Sequence, residues 1–260
     1  MPPTILGGNS HDNTSILTFV VPKPITTNQL FIISYERIII NFIFSLLPML
    51  DRWLSVLQKN RLIAVIRCNN LELGKKQAHA MAKAGVKLIE VTGNSYQPLE
   101  LISTLRDELP SCYIGAGTIL SHDFLTNAIA SGIQFCFTPH FDPDLLALAH
   151  YHNIPMIPGA LSPTEIITAF NYGAKTVKVF PIQSVGGVTY LKNILAPLPH
   201  IPLIPTGGVN ISNAVDYIKA GAIAIGLASD LFPTDLIMED NWQEITNRTK
   251  KLLENLEKLQ

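Results

Sequence analysis

The sequence predicts a single (β/α)8 barrel, on three observations. Short β-branched runs alternate with longer amphipathic segments from residue 61 onward, the alternation occurs eight times, and no block of chain is left over for a second domain. Strand–helix alternation places parallel strands inside a layer of helices, and eight such units close the sheet on itself. The alternative is a doubly wound open sheet, which wants a glycine-rich fingerprint after its first strand. "VIRCNNLELG" does not provide one.

Taken in order, "LDRWLSVLQKN" after Met49 has the apolar spacing of a helix and would precede the barrel as an N-terminal helix. The predicted strands are "LIAVIRC" (62–68), "LIEVT" (88–92), "YIGAGTI" (113–119), "QFCFTPH" (134–140), "PMIPGAL" (155–161), "TVKVFP" (176–181), "PLIPTGG" (202–208) and "AIAIGLA" (222–228). Amphipathic segments such as "LELGKKQAHAMAKAG" and "SNAVDYIKAG" separate them. Gly85, Gly132, Gly173 and Gly221 stand where helices should stop before the next strand. The result is a TIM-barrel architecture over residues 49–260.

Composition excludes several function classes. Nineteen basic against twenty acidic residues give a net charge of −1, which offers no electrostatic case for nucleic acid or an anionic membrane. Cys68, Cys112 and Cys136 lie far apart in apolar stretches and read as free thiols of a reducing, cytoplasmic compartment. His150 and His152 do not share a helix face, and no HExxH occurs, so no metal site is expected. Residues 1–48 lack periodicity until "LFIISYERIIINFIFSLLPML", where Glu36 and Arg37 interrupt the run of about 20 apolar residues that a membrane span needs. A poorly ordered extension is expected there, or a mis-assigned start with Met49 as the natural one. A membrane anchor is the alternative.

The barrel locates the chemistry at the C-terminal ends of the strands, where side chains alternate between lumen and helix layer. In "LIEVT", Ile89 and Val91 suit the helix layer, so Glu90 and Thr92 face the lumen. In "TVKVFP", Val177 and Val179 turn outward and Lys178 inward, with Thr176 and Phe180. The same parity points Arg67 and Thr118 inward. Lysine is seldom buried without a partner. A bracing Lys178–Glu90 ion pair would explain it, although such pairs add little net stability. The functional reading is an amine whose pKa burial lowers, nucleophilic enough to form a Schiff base, with Glu90 as general acid/base. Arg67 is either a solvated rim residue or a fork for a carboxylate or phosphate. Gly207 and Gly208 of "PTGG" either form a plain turn or, with Ser229 of "GLASDLF", hold phosphate where this fold commonly binds it. Asn210 is placed to cap the helix that follows.

The motifs "LIEVT", "GAGT", "VKVFP", "GGV" at 186–188 and "PTGG", in this order over residues 53–233, resemble the class I 2-keto-3-deoxy-6-phosphogluconate (KDPG) and 4-hydroxy-2-oxoglutarate aldolases. The resemblance implies that Lys178 forms the Schiff base with pyruvate, that Glu90 is the acid/base, and that Thr118 lies near the carboxylate. It implies that Pro139 and Phe180 contact the substrate, and that Gly207, Gly208 and Ser229 bind phosphate. It further implies a homotrimer that needs no cofactor or metal, acting on a phosphorylated keto acid and releasing pyruvate.

Two departures stand out. Family members often carry an arginine four residues after the glutamate to hold the carboxylate; here Asn94 occupies that place, and Arg67 is expected to supply the cation. Asp230 puts an acid beside the expected phosphate site. "VIRC", Asn94–Ser95 and "SDLF" lean toward the relatives that cleave the galactonate epimer, whereas Thr206 before the paired glycines leans toward the gluconate epimer. The remaining alternatives are a phosphate-binding isomerase or synthase barrel without covalent attachment, and a degenerate, non-catalytic barrel.

Overall fold

The computed structural model describes residues 52–259. The expectations for residues 1–48 and for Met49 lie outside the described residues. Helix α1 (residues 52–60) comes first. It is followed by β1 (Leu62–Ile66), α2 (Leu71–Ala84), β2 (Leu88–Thr92), α3 (Pro98–Glu108), β3 (Tyr113–Gly117), α4 (His122–Ala130), β4 (Cys136–Phe137) and α5 (Pro143–Tyr151). Then come β5 (Met156–Ile157), β6 (Gly159–Ala160), α6 (Pro163–Asn171), β7 (Val177–Val179), α7 (Gly187–Leu195), β8 (Leu203–Pro205), α8 (Ala214–Lys219) and β9 (Ile225–Leu227). The chain closes with α9 (Thr234–Met238) and α10 (Trp242–Glu257).

The helices start and stop on local chemistry. Asn70, Ser121, Asp142 and Ser162 each accept a backbone N–H from the first turn of the helix they precede, and Glu165 completes a capping box with Ser162. The four glycines expected as stops all adopt left-handed backbone just past a helix, φ being 107° at Gly85 and 106° at Gly221.

All strands run parallel. β5, β4, β3, β2, β1 and β9 form one sheet, and β6, β7 and β8 another. A parallel bridge from Thr206 to Gly226 joins β8 to β9, and β9 lies on β1 with Ile225 opposite Leu62. β5 and β6 are two halves of one predicted strand, so the described residues form the eight-staved barrel expected from the sequence. The stave breaks at Pro158, which has no N–H to donate. Before it the chain pairs with β4, and after it with β7.

Alternation sorts the strand residues as the pattern requires. Ile89, Val91, Val177 and Val179 pack outward against the helices. Inside, Ile63, Leu88, Phe135, Phe137, Ile157, Ile204 and Ala224 form a separate apolar cluster with Trp53 and Leu57 of α1. The Trp53 ring stacks on Phe135, centroids 5.1 Å apart. Helix α1 therefore plugs the end where the strands begin, and the opposite end is left for polar groups. Among the described residues, no helix is long and apolar enough to cross a membrane.

Candidate active site

At the open end of the barrel a cavity of about 470 Å³ is lined by Lys178, Glu90, Arg67, Thr118, Pro139, Phe180, Thr206, Gly207, Gly208 and Ser229, together with Thr92, Asn210, Gly226 and Asp230. The ten residues expected to bind or act on the substrate thus line one cavity, while Asn94 lies outside it.

Strand β7 carries Lys178 at the register position between Gly159 and Ile204. The residue is 7% exposed and Glu90 2%, yet none of the ion pairs among the described residues joins them. The bracing ion pair considered for the sequence does not form. Lys178 Nζ instead lies 4.7 Å from the centre of the Phe180 ring and 5.7 Å from that of Phe137. The rings attract a cation weakly, but burial dominates. It holds the lysine below its ordinary pKa, with Glu90 opposing the effect and the Arg67 charge adding to it. Burial likewise raises the Glu90 carboxyl above its ordinary range, against the pull of Lys178 and Arg67. Both groups are shifted toward neutrality. A lowered pKa favours the free amine that a nucleophile requires, and a raised one favours a carboxyl that can carry a proton.

Glu90 is accommodated by a glycine. A Cβ on residue 117 would fall 1.6 Å from Glu90 Oε1, so the second glycine of "GAGT" is the space the carboxyl occupies. Gly159 plays a similar part below Pro139, whose carbonyl carbon would lie 2.3 Å from an added Cβ. The signal was in the sequence: a glycine at lumen parity inside a strand marks a close approach.

Thr118 corrects the parity argument. Ile114 and Ala116 face the helix layer, so unbroken alternation would turn Thr118 outward with them. Its φ of 57° ends the extended backbone after Gly117 and brings the residue to the cavity wall. Arg67 follows parity with Val65 and stays exposed, its Nε donating to Asn94 Oδ1 at 3.2 Å. The residue standing in place of the family's arginine therefore holds the arginine that reaches in from β1.

At the far side of the mouth, Gly207 and Gly208 have φ near 84° and 87°, and Ser229 opens a short 3-10 turn, Ser229–Leu231. Asn210 caps a turn one step before α8, its Oδ1 accepting the Asn213 N–H at 2.9 Å. The acid expected to disturb an anion is engaged with backbone: Asp230 Oδ2 accepts the Ile211 N–H at 2.7 Å. A side chamber of about 720 Å³ shares Val65, Arg67, Ala228 and Ser229 with the cavity but contains neither Lys178 nor Glu90. Its greater size does not make it the reactive centre. The three cysteines are free and buried. Burial pushes each thiol up, so none is a ready nucleophile.

A (β/α)8 barrel that presents a desolvated lysine beside a buried carboxyl at its C-terminal mouth defines a lysine-dependent enzyme of the Schiff-base class. The chain belongs to the KDPG and KHG aldolase family, whose model matches residues 54–248. The KHG/KDPG aldolase of Escherichia coli (strain K12) is 30% identical over 200 residues, covering 77% of this chain and 94% of that protein. The 2-dehydro-3-deoxy-phosphogluconate aldolase of Dickeya dadantii (strain 3937) is 31% identical over 192 residues, covering 74% and 90%. The crystal structure of the Legionella pneumophila KDPG aldolase, with pyruvate captured as a covalent carbinolamine, is similar with a TM-score of 0.71 and 28% identity. It covers 76% of this chain and 97% of that one.

Proposed function

We propose that this enzyme cleaves KDPG to pyruvate and glyceraldehyde 3-phosphate, and also splits 4-hydroxy-2-oxoglutarate to pyruvate and glyoxylate. The observation that carries this is Lys178, a buried amine held toward neutrality in the same cavity as Glu90 but not paired with it. The Lys178 amine attacks the C2 ketone to give a carbinolamine, which loses water to an iminium. Glu90 takes the C4 hydroxyl proton as the C3–C4 bond breaks, and that bond's electron pair moves into the iminium to form an enamine. The aldehyde leaves, C3 is protonated, and water releases pyruvate and the free amine. Arg67, fixed by Asn94, and Thr118 hold the carboxylate, with Pro139 and Phe180 packing against the substrate. Gly207, Gly208 and Ser229 hold the phosphate. A cytoplasmic homotrimer completes the reading, supported by the free thiols and the family.

Thr206 favours the gluconate over the galactonate epimer. It is buried on the cavity wall, against Gly226, where its hydroxyl can pair with one C4 hydroxyl and not its mirror placement. A buried polar group left unpaired costs about 1–3 kcal/mol, which supports a preference of about tenfold or more. The test is one series. Borohydride with pyruvate should leave an adduct on the peptide carrying Lys178, absent together with turnover in Lys178→Ala. The wild-type protein should show the higher kcat/KM on the gluconate epimer. An adduct on another lysine overturns the mechanism; equal or reversed rates overturn only the epimer.

A further inference from the structure

Ser95 follows Asn94 and is buried. Its Oγ accepts the Cys68 backbone N–H at 3.3 Å, lies 3.4 Å from the Ile66 carbonyl to which it donates, and sits 3.1 Å from Thr92 Oγ1. Backbone bonds close the arrangement: the Ser95 N–H donates to the Thr92 carbonyl at 2.9 Å, and the Tyr96 N–H to the Cys68 carbonyl at 2.8 Å. The two residues of β1 and its extension that Ser95 grips, Ile66 and Cys68, flank Arg67. The residue just before Ser95 is Asn94, which accepts from Arg67 Nε. One hydroxyl thus ties down both the backbone that carries the guanidinium and the loop that carries its acceptor.

Ser95 lines the side chamber and not the lysine cavity, so it reaches the substrate only through those neighbours. We infer that Ser95 is a positioning residue for the carboxylate end of the site, setting where the exposed Arg67 fork meets the anion. A long, rotamer-rich arginine on the rim costs entropy when it is ordered, and pinning its backbone and Nε beforehand reduces that cost. The inference rests on the assignment of Arg67 as the carboxylate's cation.

The experiment is steady-state kinetics on the full chain with KDPG, comparing Ser95→Ala, Arg67→Met and the double variant. Ser95→Ala should raise KM about tenfold while kcat changes by less than about threefold, the pattern of misplaced binding rather than lost chemistry. Ser95→Thr, which keeps the hydroxyl, should recover most of the loss. The double variant should be no worse than Arg67→Met alone, because residues acting through one another are not additive; a merely structural serine would add its full effect. Asn94 is exposed, so Asn94→Ala folds and provides a second probe, with KM rising in the same direction and the same non-additivity. If Arg67→Met raises KM while neither Ser95→Ala nor Asn94→Ala does, the proposal is overturned and Arg67 keeps its role. If Arg67→Met leaves KM unchanged, the assignment of Arg67 falls and this proposal falls with it.

Discussion

The carboxyl of Glu90 has its place only because residue 117 lacks a side chain. An added Cβ would stand 1.6 Å from Oε1 and 2.4 Å from Cδ, inside any permitted contact. In Gly117→Ala the carboxyl must therefore leave its present position. With Glu90 as the proposed acid/base, we expect a loss of kcat of about 100-fold, the effect of a misplacement of about 1 Å, with about 1–3 kcal/mol of destabilisation from overpacking. Turnover and urea unfolding measure the two separately, and kcat within about threefold of wild type would show that Glu90 need not sit there. At this scale Lys178, Glu90 and Arg67 were legible because alternation runs unbroken through β7, β2 and β1. Thr118 was reached by a parity that its left-handed φ breaks. The positioning contacts of Ser95 were not legible, because its partners Ile66 and Cys68 are 27–29 positions away and meet it only once β1 lies beside β2.

Helix α1 closes the barrel floor through Trp53 and Leu57, which pack into the inner cluster with Phe135. Trp53→Ala should lower stability by about 3–5 kcal/mol, the usual loss for a buried large aromatic. Trp53→Phe should lower it by no more than about 1 kcal/mol, since the indole N–H has no partner to lose. Because the plug faces the strand starts, neither should change KM in the folded protein. A stability loss below about 1 kcal/mol in Trp53→Ala would show that the barrel closes without α1. The elements themselves were legible where β-branched runs and caps coincide, as in β2 between Gly85 and the turn at Gly93. The break between β5 and β6 was not. Proline in "PMIPGAL" gave the interruption, but the change of partner from β4 to β7 depends on neighbours that no local pattern specifies.

For the whole molecule, Lys178 and Glu90 place two titrating groups in the core without an ion pair, and each makes stability depend on pH in its own direction. Burial lowers Lys178 from its ordinary 10.5, so below that pH the unfolded chain holds a proton more tightly than the folded one. The resulting cost grows as pH falls from 10.5 to the folded pKa and is constant beneath it. Burial raises Glu90 from 4.5, so above that pH the folded chain holds a proton that the unfolded chain has lost. Its cost grows as pH rises from 4.5 to the folded pKa and is constant above it. Lys178→Met should therefore stabilise the protein at acid and neutral pH, with the gain vanishing above 10.5. Glu90→Gln, which preserves shape, should give no gain below 4.5 and a growing one above it. If the proposed roles hold, both variants should exchange activity for stability. Urea unfolding of the three proteins between about pH 5 and pH 9 measures the slopes. If Lys178→Met were less stable than wild type at neutral pH, attraction rather than desolvation would govern the lysine, and the case for its neutral, nucleophilic amine would be lost.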